Sequence, residues 1–297
     1  MENYIMIIIA DILFSLQFLM TGTYSKRTKG TTADSLAFSC GTSLIIGVYM
    51  IFVDGLTNGF GIDITWYSLI LSFGMVAVSL LSSYFSIKSL KYINLSLYSV
   101  FLMLGGMIVP SVFGIMVGEA LTWGKVLCAL LIMGAMALSV EKTGSGKKGA
   151  AKYYFACFFL NGCGGVFAKL LTMYKKYEVS SNDFLVTYML ISAALSFLLL
   201  AVISKGKPLS YFSDLKCIGC MGGYSVFHGI AQMLSLLTIS NGMDVSIQQP
   251  LVSGGVLVMS FIISVTMRER QTWKNVLSFV ISVLAVITIS FINIRVF

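Results

Sequence analysis

The chain has 297 residues, of which 57% are hydrophobic and 11% charged, with a mean hydropathy of +0.91. A soluble domain carries about 25% charged residues, so the composition excludes a soluble fold and predicts an all-α integral membrane protein. The net charge of +8 does not imply nucleic acid, because the lysines and arginines lie in short loops, where cytoplasmic retention and lipid headgroups account for them.

Apolar runs of about twenty residues recur along the whole length, and each can cross a bilayer core of roughly 30 Å. They predict ten transmembrane helices, at roughly 4–24, 32–53, 64–87, 94–117, 122–140, 152–174, 184–204, 214–240, 244–267 and 272–295. Met1, Glu2 and Asn3 supply no basic n-region and no small-x-small cleavage site follows, so the first run is expected to be a retained helix rather than a signal peptide. Turn and charge signals mark the connections, as in Ser25 to Gly30 and Asp54 to Gly59. The longest polar stretch, Glu141 to Lys152, sits at the midpoint, where a linker between two repeats belongs. The six cysteines fall in or beside apolar runs and read as small hydrophobes. Cys217-x-x-Cys220 is a lone pair, too weak a signal for a zinc or redox site, and neither a metal nor a cofactor is expected.

Glu-x-x-Thr-Trp-x-x-Val-Leu occurs twice, as Glu119, Thr122, Trp123, Val126, Leu127 and as Glu269, Thr272, Trp273, Val276, Leu277, 150 residues apart. Two of the three tryptophans belong to it. The reading is a duplication, with one five-helix repeat over 1–146 and a second over 147–297. Five is odd, so tandem copies enter the membrane in opposite directions; this is the inverted-topology arrangement of transporters. The loops after the odd-numbered spans hold 15 of the 20 Lys and Arg. The positive-inside rule then places both termini outside.

Gly118-Glu119-Ala120-Leu121-Thr122 resembles the Gly-Glu-x-Leu-Thr that closes the fourth helix of each repeat in the drug/metabolite transporter superfamily, EamA type. The second copy keeps Glu269 and Thr272. Ser89 to Ser96 resembles that family's turn between helices three and four. Where the family usually has a proline thirteen residues before the Glu, this chain has Gly106 and Val256, with prolines instead at Pro110 and Pro250. The resemblance spans essentially the whole chain. It implies a transporter of small organic solutes (amino acids, other metabolites, organic cations) in the plasma (inner) membrane. It also implies a cavity between helices 1–4 and 6–9, with helices 5 and 10 peripheral and both termini cytoplasmic. The charge count opposes that last expectation.

Asp11 lies in the first span, where a carboxylate costs on the order of 2.5–3.5 kcal/mol on insertion scales. It is read first as a cavity group serving a cation or a coupling proton; the alternative is a carboxyl with a structural role. Tyr224, His228 and Gln232 share one face of span 8. The equivalent stripe in span 3 is Gly74, Val78 and Ser82, so one cavity wall should be polar and bulky and the facing wall small. His228, the single histidine, reads equally as a solute contact or as a ring held by a backbone carbonyl. Gln248 and Gln249 precede Pro250, which frees a carbonyl on the preceding turn. They read equally as solute contacts or as partners in a packed kink. Tyr98 and Ser99 hold the matching positions in span 4. Asn161 is read as packing, with a bridge to Asp11 open to it, and Lys169 as snorkelling to the interface. Glu119 and Glu269 suit the positive ends of helices, Thr122 and Thr272 suit N-caps, and Trp123 and Trp273 suit headgroup anchors.

No Walker A, Gly-x-Ser-x-Gly or His-Glu-x-x-His motif occurs. The expectation is therefore a secondary transporter and not an enzyme, with a small-molecule solute and the lipid bilayer as partners. Small residues on spans 5 and 10 permit a homodimer without demanding one. Two other classes stay open: a membrane-embedded enzyme using Asp11 and His228 on a lipid-linked substrate, and a non-transporting assembly partner.

Overall fold

A computed structural model describes residues 2–57, 61–89, 95–120, 122–139, 150–174, 179–266 and 273–291. In chain order the helices are α1 (Glu2–Arg27), α2 (Thr32–Thr57), α3 (Trp66–Ser89), α4 (Leu95–Met116), α5 (Trp123–Ser139), α6 (Ala150–Met173), α7 (Ser181–Ile203), α8 (Leu215–Ser240), α9 (Val245–Thr266) and α10 (Trp273–Phe291). Each overlies one of the apolar runs. Six of the described helices are long and apolar enough to cross a membrane, namely α1, α2, α3, α6, α7 and α9. The chain is thus an all-helical protein of membrane-spanning character. The midpoint stretch from Glu141, together with Glu269 and Thr272, lies outside the described residues.

Local chemistry sets several of the helix starts. Before α2, the Thr31 N–H donates to Asp34 Oδ2 at 2.8 Å and the Asp34 N–H returns a bond to Thr31 Oγ1 at 3.2 Å. Thr65 and Ser68 make the same reciprocal pair at the start of α3. Ser180 caps α7 through the Asp183 N–H at 3.0 Å. Thr122 accepts from the Lys125 N–H at 3.3 Å, as its N-cap reading requires. Such caps satisfy backbone donors that the first helical turn leaves without partners. α4 and α9 run through Pro110 and Pro250 without interruption.

α1 shows how the faces are sorted. Ile5, Ile8, Ile9 and Ile12 are exposed, whereas Ile7, Ala10, Phe14 and Phe18 are buried. Apolar side chains on the outer face have no reason to be there in water, but lipid tails are their natural solvent. Trp123 and Trp273 are likewise exposed, at 49% and 75%, where an interfacial anchor would be.

α1 packs on α8 and α9, and α6 packs on α3 and α4. α2 meets α7, α4 meets α9, and α5 meets α10. Exchanging α1–α5 with α6–α10 turns the α1–α8 pair into α3–α6 and the α1–α9 pair into α4–α6, and maps α2–α7, α4–α9 and α5–α10 onto themselves. Interhelical polar bonds reinforce the contacts: Ser43 Oγ donates to Ser192 Oγ at 3.0 Å between α2 and α7, Tyr67 Oη to the Leu170 carbonyl at 2.7 Å, and Ser225 Oγ to the Thr42 carbonyl at 3.2 Å. In a membrane, where apolar burial does not discriminate between helix and lipid, such bonds and close packing carry association.

Candidate functional site

A cavity of about 200 Å³ lies among α1, α2, α3, α4, α6, α7, α8 and α9. Among the described residues, none of α5 or α10 lines it. The α8 wall presents Tyr224, His228 and Gln232 on one helical face. Opposite, α3 presents Val78 and a row of small hydroxyls, Ser79, Ser82, Ser83 and Ser86. One wall is therefore bulky and the other small. Gly74 stands behind that second wall, against the ring of Phe167.

α8 is held at this register by its neighbours. Ser225 is bonded to α2, and Gly229 lets Ile46, Tyr49 and Met50 of α2 come within 3.3–3.4 Å of where a Cβ would sit. His228 stacks on Tyr224, with ring centroids 5.0 Å apart and planes at 20°. Phe14 tilts against the imidazole at 6.0 Å. His228 Nδ1 lies 2.6 Å from Gln17 Oε1. An amide oxygen only accepts, so with the Gln17 amide in this orientation the contact is a hydrogen bond when Nδ1 carries the proton. The backbone-held alternative for His228 is thus replaced by a side-chain partner on α1. Among the described residues no bond engages Nε2, the Tyr224 hydroxyl or the amides of Gln232 and Gln249, and all four residues border the cavity without being fully buried.

The remaining sequence-predicted residues fall elsewhere. Gln248 is fully buried behind the wall, where its Nε2 donates to Ser235 Oγ at 2.7 Å. Tyr98 belongs to α4, but its side chain lies outside the described residues. Asp11 is 4% exposed and does not line the cavity. Its carboxyl lies against α9 at Gly255, where an added Cβ would stand 1.8 Å from Oδ2. Asn161 does not bridge to Asp11. Its Nδ2 donates to the Leu102 carbonyl of α4 at 2.7 Å, because α6 packs on α4 whereas Asp11 faces α9. Asp11 and Asn161 are nevertheless 150 residues apart, the spacing of the repeated Glu-x-x-Thr-Trp motif. Each touches the fourth helix of the other half, Asp11 at Gly255 and Asn161 at Gly106.

The Asp11–Gly255 contact makes a prediction. Gly255→Ala should lower the melting temperature, and Asp11→Ala should recover part of that loss, since contacting residues couple by about 0.5–3 kcal/mol. Thermal unfolding of the two single variants and the double variant in detergent measures this coupling. Strictly additive losses would show that the carboxyl does not occupy the space beside Gly255.

Lys169 and Glu119 form a second polar centre near the ends of α6 and α4. Lys169 Nζ is 2.6 Å from Glu119 Oε1. Glu119 Oε2 accepts the Ser246 N–H at 3.0 Å. The carboxylate therefore caps α9, not the following helix α5, and Lys169 ends on that carboxylate.

Sequence reasoning missed Gln17, Thr21, Tyr188, Ser253 and most of the α3 serines, all of which line the cavity. Phe14, Gln17, Phe18 and Thr21 are spaced i, i+3, i+4, i+7 opposite the exposed isoleucines of α1. That spacing, with a glutamine in mid-span, was the available signal.

No protein-family model matches the chain, and no curated protein does. A solved structure described only as "Crystal structure of protein" is similar over 94% of this chain and 95% of its own, with a TM-score of 0.65 and 16% identity. At that identity the likeness concerns the fold alone.

Proposed function

We propose that this chain is a secondary transporter of a small organic solute, built as two inverted five-helix repeats that alternate access to one site. The observation that carries the reading is the central cavity. It is walled by both halves of the chain and bordered, on α8 and α9, by polar groups that have no partner among the described residues. Polar groups that open onto a cavity can meet the donors and acceptors of a solute. The contacts that exchange under α1–α5 for α6–α10 support two equivalent repeats, as does the repeated Glu-x-x-Thr-Trp motif. Membership of the drug/metabolite superfamily, EamA type, and residence in the plasma (inner) membrane are part of the same proposal. So are its working as a carrier without catalytic chemistry and the openness of α5 and α10 to a homodimer.

In this reading Tyr224, His228, Gln232 and Gln249 touch the solute, and Gln248 braces α9 through Ser235. Asp11, set on the α1–α9 seam, serves the movement of α1 against α9 or its coupling to an ion. Opening and closing is a rocking of one repeat against the other about the fixed site. No bond joins Asp11 to His228, the pair that an embedded enzyme would need.

Counterflow in proteoliposomes tests the proposal. Vesicles loaded with one unlabelled solute at a time, from a panel of amino acids, amines, amides and nucleosides, should accumulate the labelled form of the transported member. His228→Ala should reduce that uptake at least tenfold. Absence of counterflow for every solute, with and without proton or sodium gradients, would sink the reading.

A further inference from the structure

The cavity has a property that narrows its solute. Among the described residues that line it, none is Asp, Glu, Lys or Arg. Its rings are Phe14, Phe18, Phe38, Tyr188, Tyr224 and His228, and its remaining polar groups are hydroxyls and amides. An ion closed into such a space would leave water without meeting an opposite charge. The effective penalty is several kcal/mol per ion. Uncharged polar groups can be satisfied there, since hydroxyls and amides both donate and accept.

The Gln17–His228 contact sets the sign of one of those bonds. With the Gln17 amide in this orientation, its Oε1 holds the proton on Nδ1. A neutral imidazole with its proton on Nδ1 presents a lone pair at Nε2, and Nε2 has no partner among the described residues. The ring is locked in its plane by Tyr224 on one side and Phe14 on another. The volume of about 200 Å³ is below the roughly 300–1,000 Å³ of pockets for drug-sized ligands. It suits a metabolite-sized molecule with one ring.

We propose that the cavity selects a small uncharged solute bearing an N–H or O–H donor, and that Gln17 is the positioning residue that makes His228 Nε2 the acceptor for it. This rests on the reading of the cavity as the solute site of a transporter. Gln17 acts through His228 and sets its tautomer. Stacking between the aromatic walls orients the ring of the solute, and the serine row of α3 takes its other polar edge.

Three probes of nearly one shape isolate charge: benzamide is neutral, benzamidine cationic and benzoate anionic. Their binding to purified protein in detergent is to be measured by calorimetry, with wild type, Gln17→Met and His228→Phe. Wild type should bind benzamide at least tenfold more tightly than either ion, and both variants should lose about tenfold of that affinity. The chain has a single histidine, so untagged protein with ¹⁵N-labelled histidine gives one imidazole to follow by NMR. Wild type should show the Nδ1–H tautomer, and Gln17→Met should lose that preference while keeping its melting temperature. Equal or tighter binding of either ion, binding of none of the three, or an Nε2–H tautomer in wild type would overturn the proposal. Proteoliposomes separate it from the transport reading. Benzamide that binds as described but is never carried leaves the cavity chemistry standing and removes transport; carriage of an ion does the reverse.

Discussion

Gly105→Ala is expected to yield protein that no longer folds to a single stable species. A Cβ at this position would lie 1.7 Å from the Phe158 carbonyl oxygen and 2.4 Å from its carbon. Both atoms are backbone, so no side chain can turn aside and α4 must part from α6. Gly162 sits on the other side of the same contact, where a Cβ would meet the Gly105 carbonyl oxygen at 2.5 Å. Overpacking costs about 1–3 kcal/mol, and a contact this short belongs at the upper end or beyond. Alanine gains about 1 kcal/mol over glycine in a helix, which does not offset it. Gly134→Ala is the control, because nothing lies within 4 Å of a Cβ there. Size-exclusion profiles and melting temperatures in detergent compare the two. An unchanged Gly105→Ala protein would mean that α4 and α6 do not approach at this point.

Glu119→Ala should produce the second large effect, a loss of about 2 kcal/mol. The change deletes the cap on α9 and leaves Lys169 without its counter-ion. The Glu119 side chain is 5% exposed and that of Lys169 is 21% exposed, so water repairs the lysine only in part. Glu119→Gln keeps an acceptor for the Ser246 N–H but loses the charge, and should fall between wild type and Ala. Burial by itself would raise the Glu119 carboxyl. The bonds from Lys169 and Ser246 outweigh it and hold the group below its ordinary value of 4.5. A carboxyl lowered in the folded state adds stability above its unfolded value, and that contribution fades as pH falls through the folded value. The gap in melting temperature between wild type and Glu119→Gln should therefore be full at neutral pH and close below about 4.5. A gap that stays constant with pH would show that the charge of Glu119 adds nothing to the fold.

The sequence alone determined where the helices are and which of their faces are polar. Apolar runs of membrane-spanning length leave little choice but helix, because each backbone group must find its partner within its own segment. The four-residue spacing of Tyr224, His228 and Gln232 placed three of the cavity residues on one face, whatever that face meets. Thr122 was legible as a cap because a cap and the helix it starts are neighbours in the chain. What periodicity does not encode is the identity of the helix opposite. Only the tertiary structure put Gln17 beside His228, 211 residues away, and turned Glu119 onto α9, 127 residues away. It also set Asp11 on the α1–α9 seam outside the cavity and paired Asn161 with Leu102. These choices rest on which helices glycines such as Gly105 and Gly255 allow to touch, and that is decided by packing in three dimensions.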